Sequence, residues 1–351
     1  MSGIKNLLRK NMQDLQPYST ARDEYDGEVG IFLDANENSL GSATEWLLNR
    51  YPDPHQRKLK RKIAELKKVP TENLFLGNGS DEAIDLLIRA FCEPQKDKII
   101  VMPPTYGMYK VCAAINDVDV LKVPLDSKFE IDLNEVFSHL TPETKLIFIC
   151  SPNNPTGNCF DAKNIKHILE QFHGLVIIDE AYIDFTPEKS WLPRLQQYEN
   201  LIILHTFSKA WGLASIRLGM AFAKTEIIDV LNKIKYPYNV NGVTQEIALK
   251  VLDNLSGKDQ MVEEIIKQRE ILITQLRQLP MFEEIYPSEA NFILTKVKGA
   301  RDIYRYLLSQ KIIVRDRSQA FHCESCLRIT VGTPEENYQL IESLKKYNRN
   351  Q

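Results

Sequence analysis

The chain has 351 residues, of which 44 are basic and 47 acidic, for a net charge of −3. That balance offers no broad basic field for nucleic acid, and no apolar run approaches the ~20 residues needed to cross a bilayer. Hydrophobic content of 43% and charged content of 26% are those of a globular protein, and the length suits two domains.

Residues 1 to about 30 carry Pro17, Gly27 and Gly30 among mixed charges. They read as a short helix followed by an extended arm. The N-terminus shows no apolar core segment and no small-residue cleavage site, so no secretion signal is expected. Leu33-Asp34-Ala35-Asn36-Glu37-Asn38 follows, with Gly41 close behind, a pattern that suits an Asx-type turn. Tyr51-Pro52-Asp53-Pro54 is a rigid loop before a charged helix, Gln56 to Lys68. The stretch Leu76 to Glu82 opens another helix, on which Ile84, Leu87, Ile88 and Phe91 fall at i, i+3, i+4 and i+7 as one buried stripe. Ser80 can cap it, and Asp81 and Glu82 suit its positive end. The free N–H groups of such a Gly-rich helix start can equally hold a phosphate.

Lys98 to Val101 reads as the next strand, with Pro103-Pro104-Thr105-Tyr106-Gly107 as its exit loop. Strands near Val118 to Val123 and at Leu146 to Cys150 continue an alternation with helical segments, which argues for a mostly parallel sheet between helices. Three apolar runs then deliver polar residues at their exits. Leu146 to Gly157 ends in an Asn-Pro turn at Asn154. Leu175 to Phe185 passes through Asp179, with Tyr182 three residues on. Leu201 to Leu204 feeds His205-Thr206-Phe207-Ser208, then Lys209, with Arg217 and Gly219 beyond. A single lysine is usually a solvated surface residue. One placed just past a buried strand sits where α/β sheets hold ligands. Lysine forms a Schiff base with pyridoxal phosphate. That cofactor also needs an acid against its pyridine nitrogen and a cradle for its phosphate, and this set supplies both.

After Lys235-Tyr236-Pro237-Tyr238 the pattern changes. Val243 to Gln278 is helical in period, with Gly257 a candidate break. From about residue 282 short strands and helices mix, with strands expected at 291–294, 312–314 and 327–330. This makes a second, α+β domain. Arg315 and Arg328 belong to these strands; alternation alone lets such arginines face solvent or form ordinary ion pairs. The division expected is an arm (1–30), a large domain (31–242) and a small domain (243–351).

Six cysteines stand at 92, 112, 150, 159, 323 and 326. Cys150 ends an apolar run and reads as a core thiol. Cys323 and Cys326 form one CxxC with no second pair, so no structural metal site is expected. The pattern suits a reducing, cytoplasmic setting.

The motifs SPNNPTG, IDEAY and SKAWGLASIRLG, in that order, resemble those of the class I and II aminotransferases of fold type I. LDANENSLG, RYPDP, GNGSDEAIDLLIRAF, PPTYGMY and CLRITVGT are similar to the histidinol-phosphate aminotransferase branch of that family. The resemblance implies a large α/β domain that binds pyridoxal phosphate and a smaller α+β domain. It makes Lys209 the catalytic lysine that carries the cofactor. Asp179 would pair with the pyridine nitrogen, Asn154 and Tyr182 with the phenolate oxygen, and Tyr106 would stack on the ring. Gly79, Ser80, Asp81, Ser208 and Arg217 would hold the cofactor phosphate, with Thr206 a weaker candidate. Tyr51 would reach the phosphate of a neighbouring subunit in a homodimer with shared sites. Asn36 and Glu37 would lie near the entrance and touch substrate. Arg315 and Arg328 would hold the phosphate of histidinol phosphate, and Arg328 the carboxylate of glutamate in turn, with 2-oxoglutarate as amino acceptor. Two departures, Ser39 where the family often has proline and Ser215 where it often has glycine, remove no chemical group. Other readings open at this point are an amino-acid-phosphate decarboxylase, an aromatic amino-acid transaminase and a cofactor-binding regulator; against the last stands the absence of any basic face.

Overall fold

The computed structural model describes residues 3–20, 22 and 30–349. The chain begins with a 3₁₀ turn, Gly3–Leu7, and a short helix, Lys10–Gln13. Most of the expected extended arm, residues 21 and 23–29, lies outside the described residues.

Seven strands build the larger sheet: β1 (Leu74–Asn78), β2 (Lys98–Val101), β3 (Asp119–Lys122), β4 (Thr144–Cys150), β5 (Leu175–Asp179), β6 (Leu201–Thr206) and β7 (Leu218–Phe222). Their spatial order is β1-β7-β6-β5-β4-β2-β3. All neighbours are parallel except β7, which runs antiparallel to both β6 and β1. Every residue of β5 and β6 is buried, as expected of a parallel sheet covered on both faces.

Alternation along the strands feeds two cores. Ile147, Ile149, Val176, Ile178 and Ile203 pack with the helices Arg57–Lys67 and Ala162–Gln171 on one face. Leu146, Phe148, Ile177, Ile202 and Leu204 pack with Gly79–Phe91, Met108–Ile115 and Thr225–Ile234 on the other.

Four strands, β8 (Phe282–Ile285), β9 (Phe292–Val297), β10 (Arg315–Asp316) and β11 (Cys326–Thr330), form an antiparallel sheet in the order β10-β11-β9-β8. One face, with Ile293, Leu327 and Ile329, packs on the helices Leu255–Leu276, Ala300–Ser309 and Pro334–Arg349. The other face, with Phe292, Leu294 and Cys326, joins the first core of the larger sheet.

Local expectations need four corrections. The charged helix is Arg57–Lys67, because Gln56 and Lys68 flank it at φ of 50° and 55°. Gly257 does not break a helix: it lies inside Leu255–Leu276, and the break falls at Asp253-Asn254. The strand expected at 312–314 is displaced to β10, since the turn that closes the helix Ala300–Ser309 occupies Gln310 to Ile312. Ser80 does not cap its helix. Glu82 instead reaches back to accept the Asn78 N–H at 2.5 Å and so satisfies a free donor at the helix start.

The end of β1 and the start of its helix lie directly on β7. Gly77 pairs with Gly219, and a Cβ on Gly219 would stand 2.0 Å from the Ser80 nitrogen and 2.1 Å from the Gly79 carbonyl carbon. Backbone cannot give way as a flexible side chain can. Gly219→Ala should therefore destabilise the fold by about 1–3 kcal/mol, the usual cost of overpacking, read as a lower urea midpoint. An unchanged midpoint would show that the helix start has room.

Candidate active site

Parallel strands point their carboxyl ends to one edge, and β1 is parallel to β6 because both oppose β7. The exits of β1, β5 and β6 therefore gather with the start of β7. A cavity of about 180 Å³ lies there, lined by Asp179 from β5, Thr206, Ser208 and Lys209 from the β6 exit, and Arg217 before β7. Gly79, Ser80 and Asp81 from the helix start, Tyr106 and Tyr182 complete the wall, with Cys150, Ala181 and Ala214 between them. A larger cavity of about 610 Å³, behind Cys159 and Trp191, holds none of the residues expected to act.

Asp179 is 2% exposed. Burial raises its carboxyl to about 6, while the Tyr109 hydroxyl and the Ala181 N–H, donating at 2.7 and 3.1 Å, pull the other way. Tyr109 is itself fully buried and stacks on Phe148 at 4.7 Å. The sequence reading passed over it. Its signal was slight: Tyr109 lies in the first turn of the helix Met108–Ile115, just after the loop that carries Tyr106, and meets the Tyr106 ring edge-on at 5.6 Å.

Lys209 is half-buried, with Nζ 5.6 Å from the Tyr182 ring centre. Burial lowers its pKa, and the Arg328 charge adds to the effect, against the opposing pull of Asp179 and Asp81. A lysine so placed yields its free amine more readily than a surface lysine.

Asp81 accepts the Tyr106 hydroxyl at 3.1 Å and pairs with Arg217 at 3.5 Å. Arg217 has φ 54°, and its carbonyl accepts the Gly79 N–H at 2.8 Å. Gly79 has φ 69°, and a Cβ there would stand 2.8 Å from Arg217 Nη2. A glycine without Cβ, a guanidinium and the amino end of a 13-residue helix thus frame one corner of the cavity, the makings of an anion cradle. Thr206 Oγ1 accepts the Ser208 N–H at 3.1 Å and holds the turn that presents Lys209.

Asn154 lies just behind the wall. Its amide donates to the Tyr182 hydroxyl at 3.2 Å, and its oxygen accepts from Arg328 Nη1. Arg328 also sits over the Phe292 ring at 5.2 Å. Arg315 is its register partner across β10 and β11 and is exposed.

Like Asn154, Arg315 and Arg328, three more expected residues are not part of the cavity wall. Tyr51 is 52% exposed and stacks on Tyr238 at 4.5 Å. Asn36 is exposed at φ 54°. Glu37 is committed elsewhere: it accepts from Arg50 at 2.6 Å, the Tyr51 N–H at 2.7 Å and Arg22 at 3.0 Å. Burial opposes its charge, but those bonds prevail and hold its carboxyl below the usual range. Among the described residues no group of acidic, histidine and cysteine side chains suits a metal ion, and no helix is long and apolar enough to cross a membrane.

The sequence profile of the family "Aminotransferase class I and II" matches residues 31–344. The chain belongs to that family. It is 54% identical over 344 residues to the histidinol-phosphate aminotransferase of Cytophaga hutchinsonii, covering 98% of this chain and 99% of that one. It is 51% identical over 345 residues to that of Christiangramia forsetii, covering 98% and 97%. The crystal structure of the histidinol-phosphate aminotransferase from Clostridium acetobutylicum superposes with a TM-score of 0.80 at 26% identity, over 87% of this chain and 92% of that one.

In this aminotransferase the charge of Asp179 should be visible in stability. The carboxyl titrates near 3.8 when unfolded and about 6 when folded, so the folded chain holds its proton longer. Stability is then lost as pH rises through that window, and the loss is complete above about 6. The shift corresponds to about 3 kcal/mol. In the cofactor-free protein, Asp179→Asn should gain up to that much relative to wild type at pH 7 compared with pH 4, by urea unfolding. Tyr109→Phe should carry the transition to higher pH. A wild-type-to-Asn difference equal at both pH values would refute the assignment.

Proposed function

We propose that the chain is a pyridoxal-phosphate-dependent transaminase that converts histidinol phosphate and 2-oxoglutarate to imidazole acetol phosphate and glutamate, in histidine biosynthesis. The observation that carries this is the cavity in which Lys209, Asp179 and Arg217 meet. It occurs in a chain about half identical, over nearly its whole length, to histidinol-phosphate aminotransferases.

The cavity suits the cofactor. A buried carboxylate at Asp179, uncomfortable without a cation, matches a protonated pyridine nitrogen. The Gly79 corner with Arg217 and Ser208 matches a phosphate. When bound, pyridoxal phosphate supplies an aldehyde carbon and an electron-withdrawing ring. Lys209 would hold it covalently, Asn154 and Tyr182 would bond its phenolic oxygen, and Tyr106 would cover its ring. Ser80 and Asp81 would offer backbone N–H groups to its phosphate, with Thr206 supporting Ser208.

The chain's own residues then carry the reaction. Lys209 Nζ, with its lowered pKa, accepts the proton from the substrate's Cα and returns one. Asp179 keeps its charge against the ring nitrogen, with Tyr109 fixing its orientation. Arg315 and Arg328 bind the anionic end of the amino donor, and Arg328 also takes the carboxylate of glutamate.

The enzyme is read as a cytoplasmic homodimer, with an arm (1–30), a large domain (31–242) and a small domain (243–351). Its six free cysteines suit a reducing compartment. Exposed Ile31, Leu33, Leu40 and Leu47, close in sequence to Tyr51, suit coverage by a second copy. Tyr51 and Asn36 then serve a site that the two copies share, and Glu37 serves it by holding Arg22, Arg50 and the Tyr51 N–H together.

Borohydride reduction of the holoenzyme followed by peptide mapping should place the label on Lys209, and Lys209→Ala should lose several orders of magnitude in turnover, since nucleophile and proton carrier vanish together. Label on another lysine would overturn the assignment. Histidinol phosphate should be turned over far faster than histidinol, and only with 2-oxoglutarate. Carbon dioxide release without 2-oxoglutarate would identify a decarboxylase instead.

Mixing Lys209→Ala chains with Tyr51→Ala chains should restore activity above either alone, because one of the two sites in a mixed dimer is intact. A fully active monomer in sedimentation would remove the shared site.

A further inference from the structure

A third arginine stands in the face that carries Arg315 and Arg328. Arg315 pairs with Arg328 across β10 and β11. The ladder runs on past β10, because the Arg317 N–H donates to the Cys326 carbonyl at 2.8 Å. Directly opposed residues in an antiparallel pair share a face, so positions 315, 317, 326 and 328 point the same way. This is the face turned to the larger sheet, since Cys326 packs in its core and Arg328 reaches Asn154.

These arginines are short of acceptors. Arg317 Nε and Arg328 Nε are buried without a hydrogen-bond partner among the described residues, and so is the neighbouring Ser318 Oγ. Several other arginines of the chain pair with carboxylates, as Arg22, Arg50, Arg57 and Arg89 do. Among the described residues no carboxylate pairs with Arg315, Arg317 or Arg328. Burial and mutual repulsion lower the pKa of Arg317 and of Arg328. Buried donors and uncompensated charge of one sign call for a ligand of the opposite sign. Lys189 offers no parallel, since it is paired with Glu289.

We infer that Arg317 is a third guanidinium of the amino donor's anion subsite, and that it makes the subsite prefer a phosphate dianion to a carboxylate. A carboxylate has two oxygens and one charge, which one bidentate arginine satisfies. A phosphate monoester carries nearly two charges and three terminal oxygens at neutral pH, and a third donor group with Ser318 beside it matches that surplus. The inference rests on the reading of the donor as a phosphate ester given above.

The test uses holoenzyme as wild type, Arg317→Gln and Arg317→Lys, with folding checked by circular dichroism. The half-reactions with histidinol phosphate and with glutamate are followed by cofactor absorbance, and inorganic phosphate is titrated as a competitor of glutamate. Arg317→Gln should lower kcat/KM for histidinol phosphate by about 10- to 100-fold, the range for one charge-assisted bond, mostly through KM. The loss with glutamate should be several times smaller, and the inhibition constant of phosphate should rise. Arg317→Lys should recover part of the loss. Equal losses for both donors, or an unchanged phosphate constant, would overturn the inference. Wild-type enzyme with no preference for the phosphorylated donor would overturn the functional reading instead. The phosphate titration then still decides whether Arg317 binds the anion.

Discussion

A carboxylate at the end of β5, almost without access to water, sets the terms for the rest of the structure. Asp179 ionises only at a cost, and two hydrogen bonds, from Tyr109 and the Ala181 N–H, offset part of it. What remains has to be met by positive charge inside the cavity. Lys209 stands on the same floor, but its own desolvation and the nearby Arg328 weaken its hold on a proton. The two groups therefore do not settle into a neutralising ion pair. One keeps a demand for a cation and the other gives up its proton more readily than a surface lysine, and a ligand that is cationic on one side and electrophilic on another satisfies both.

The fold makes this arrangement through the sheet. Asp179 is in register with Cys150 on β4 and Leu204 on β6, so the exits of adjacent strands lie level. The antiparallel strand β7 then carries Arg217 back to the same edge, where the chain also leaves β1 for its helix. That return is possible because Gly77 and Gly219 face each other and leave the backbone of Gly79 and Ser80 room to lie on β7. Small residues at two positions thus bring a helix terminus and a guanidinium together.

The architecture was legible because buried parallel strands read as unbroken apolar runs, and the residues that follow them are fixed by strand direction alone. Asp179 and Lys209 were singled out in that way, Arg217 by its place in the Gly-broken segment after Lys209, and the helix start at Gly79 by its glycine and stripe. What the sequence hid depends on partners distant along the chain. Tyr109 looks like an ordinary helical aromatic until β5 places Asp179 against it. Glu37 reads as an available carboxylate, yet Arg22, Arg50 and the Tyr51 amide consume its acceptors. Gly257 carries the composition of a break, but a helix tolerates one glycine at about 1 kcal/mol when neighbours pack well, and the chain turns at Asp253-Asn254 instead. The run Ile312-Ile313-Val314 has strand propensity, and the preceding helix-ending turn overrides it.

Arg328 connects the two sheets. It belongs to β11 of the small sheet, lies over Phe292 of β9, and bonds Asn154 beyond β4 of the large one. Asn154 in turn holds the Tyr182 hydroxyl, and the Tyr182 ring faces Lys209. Arg328 is therefore three contacts from the Lys209 amine. An anion drawn to Arg328 competes with the Asn154 oxygen for the same guanidinium, and it also reduces the positive field that depresses the pKa of Lys209. Charge taken up at the small sheet would thus be felt at the lysine of the large one.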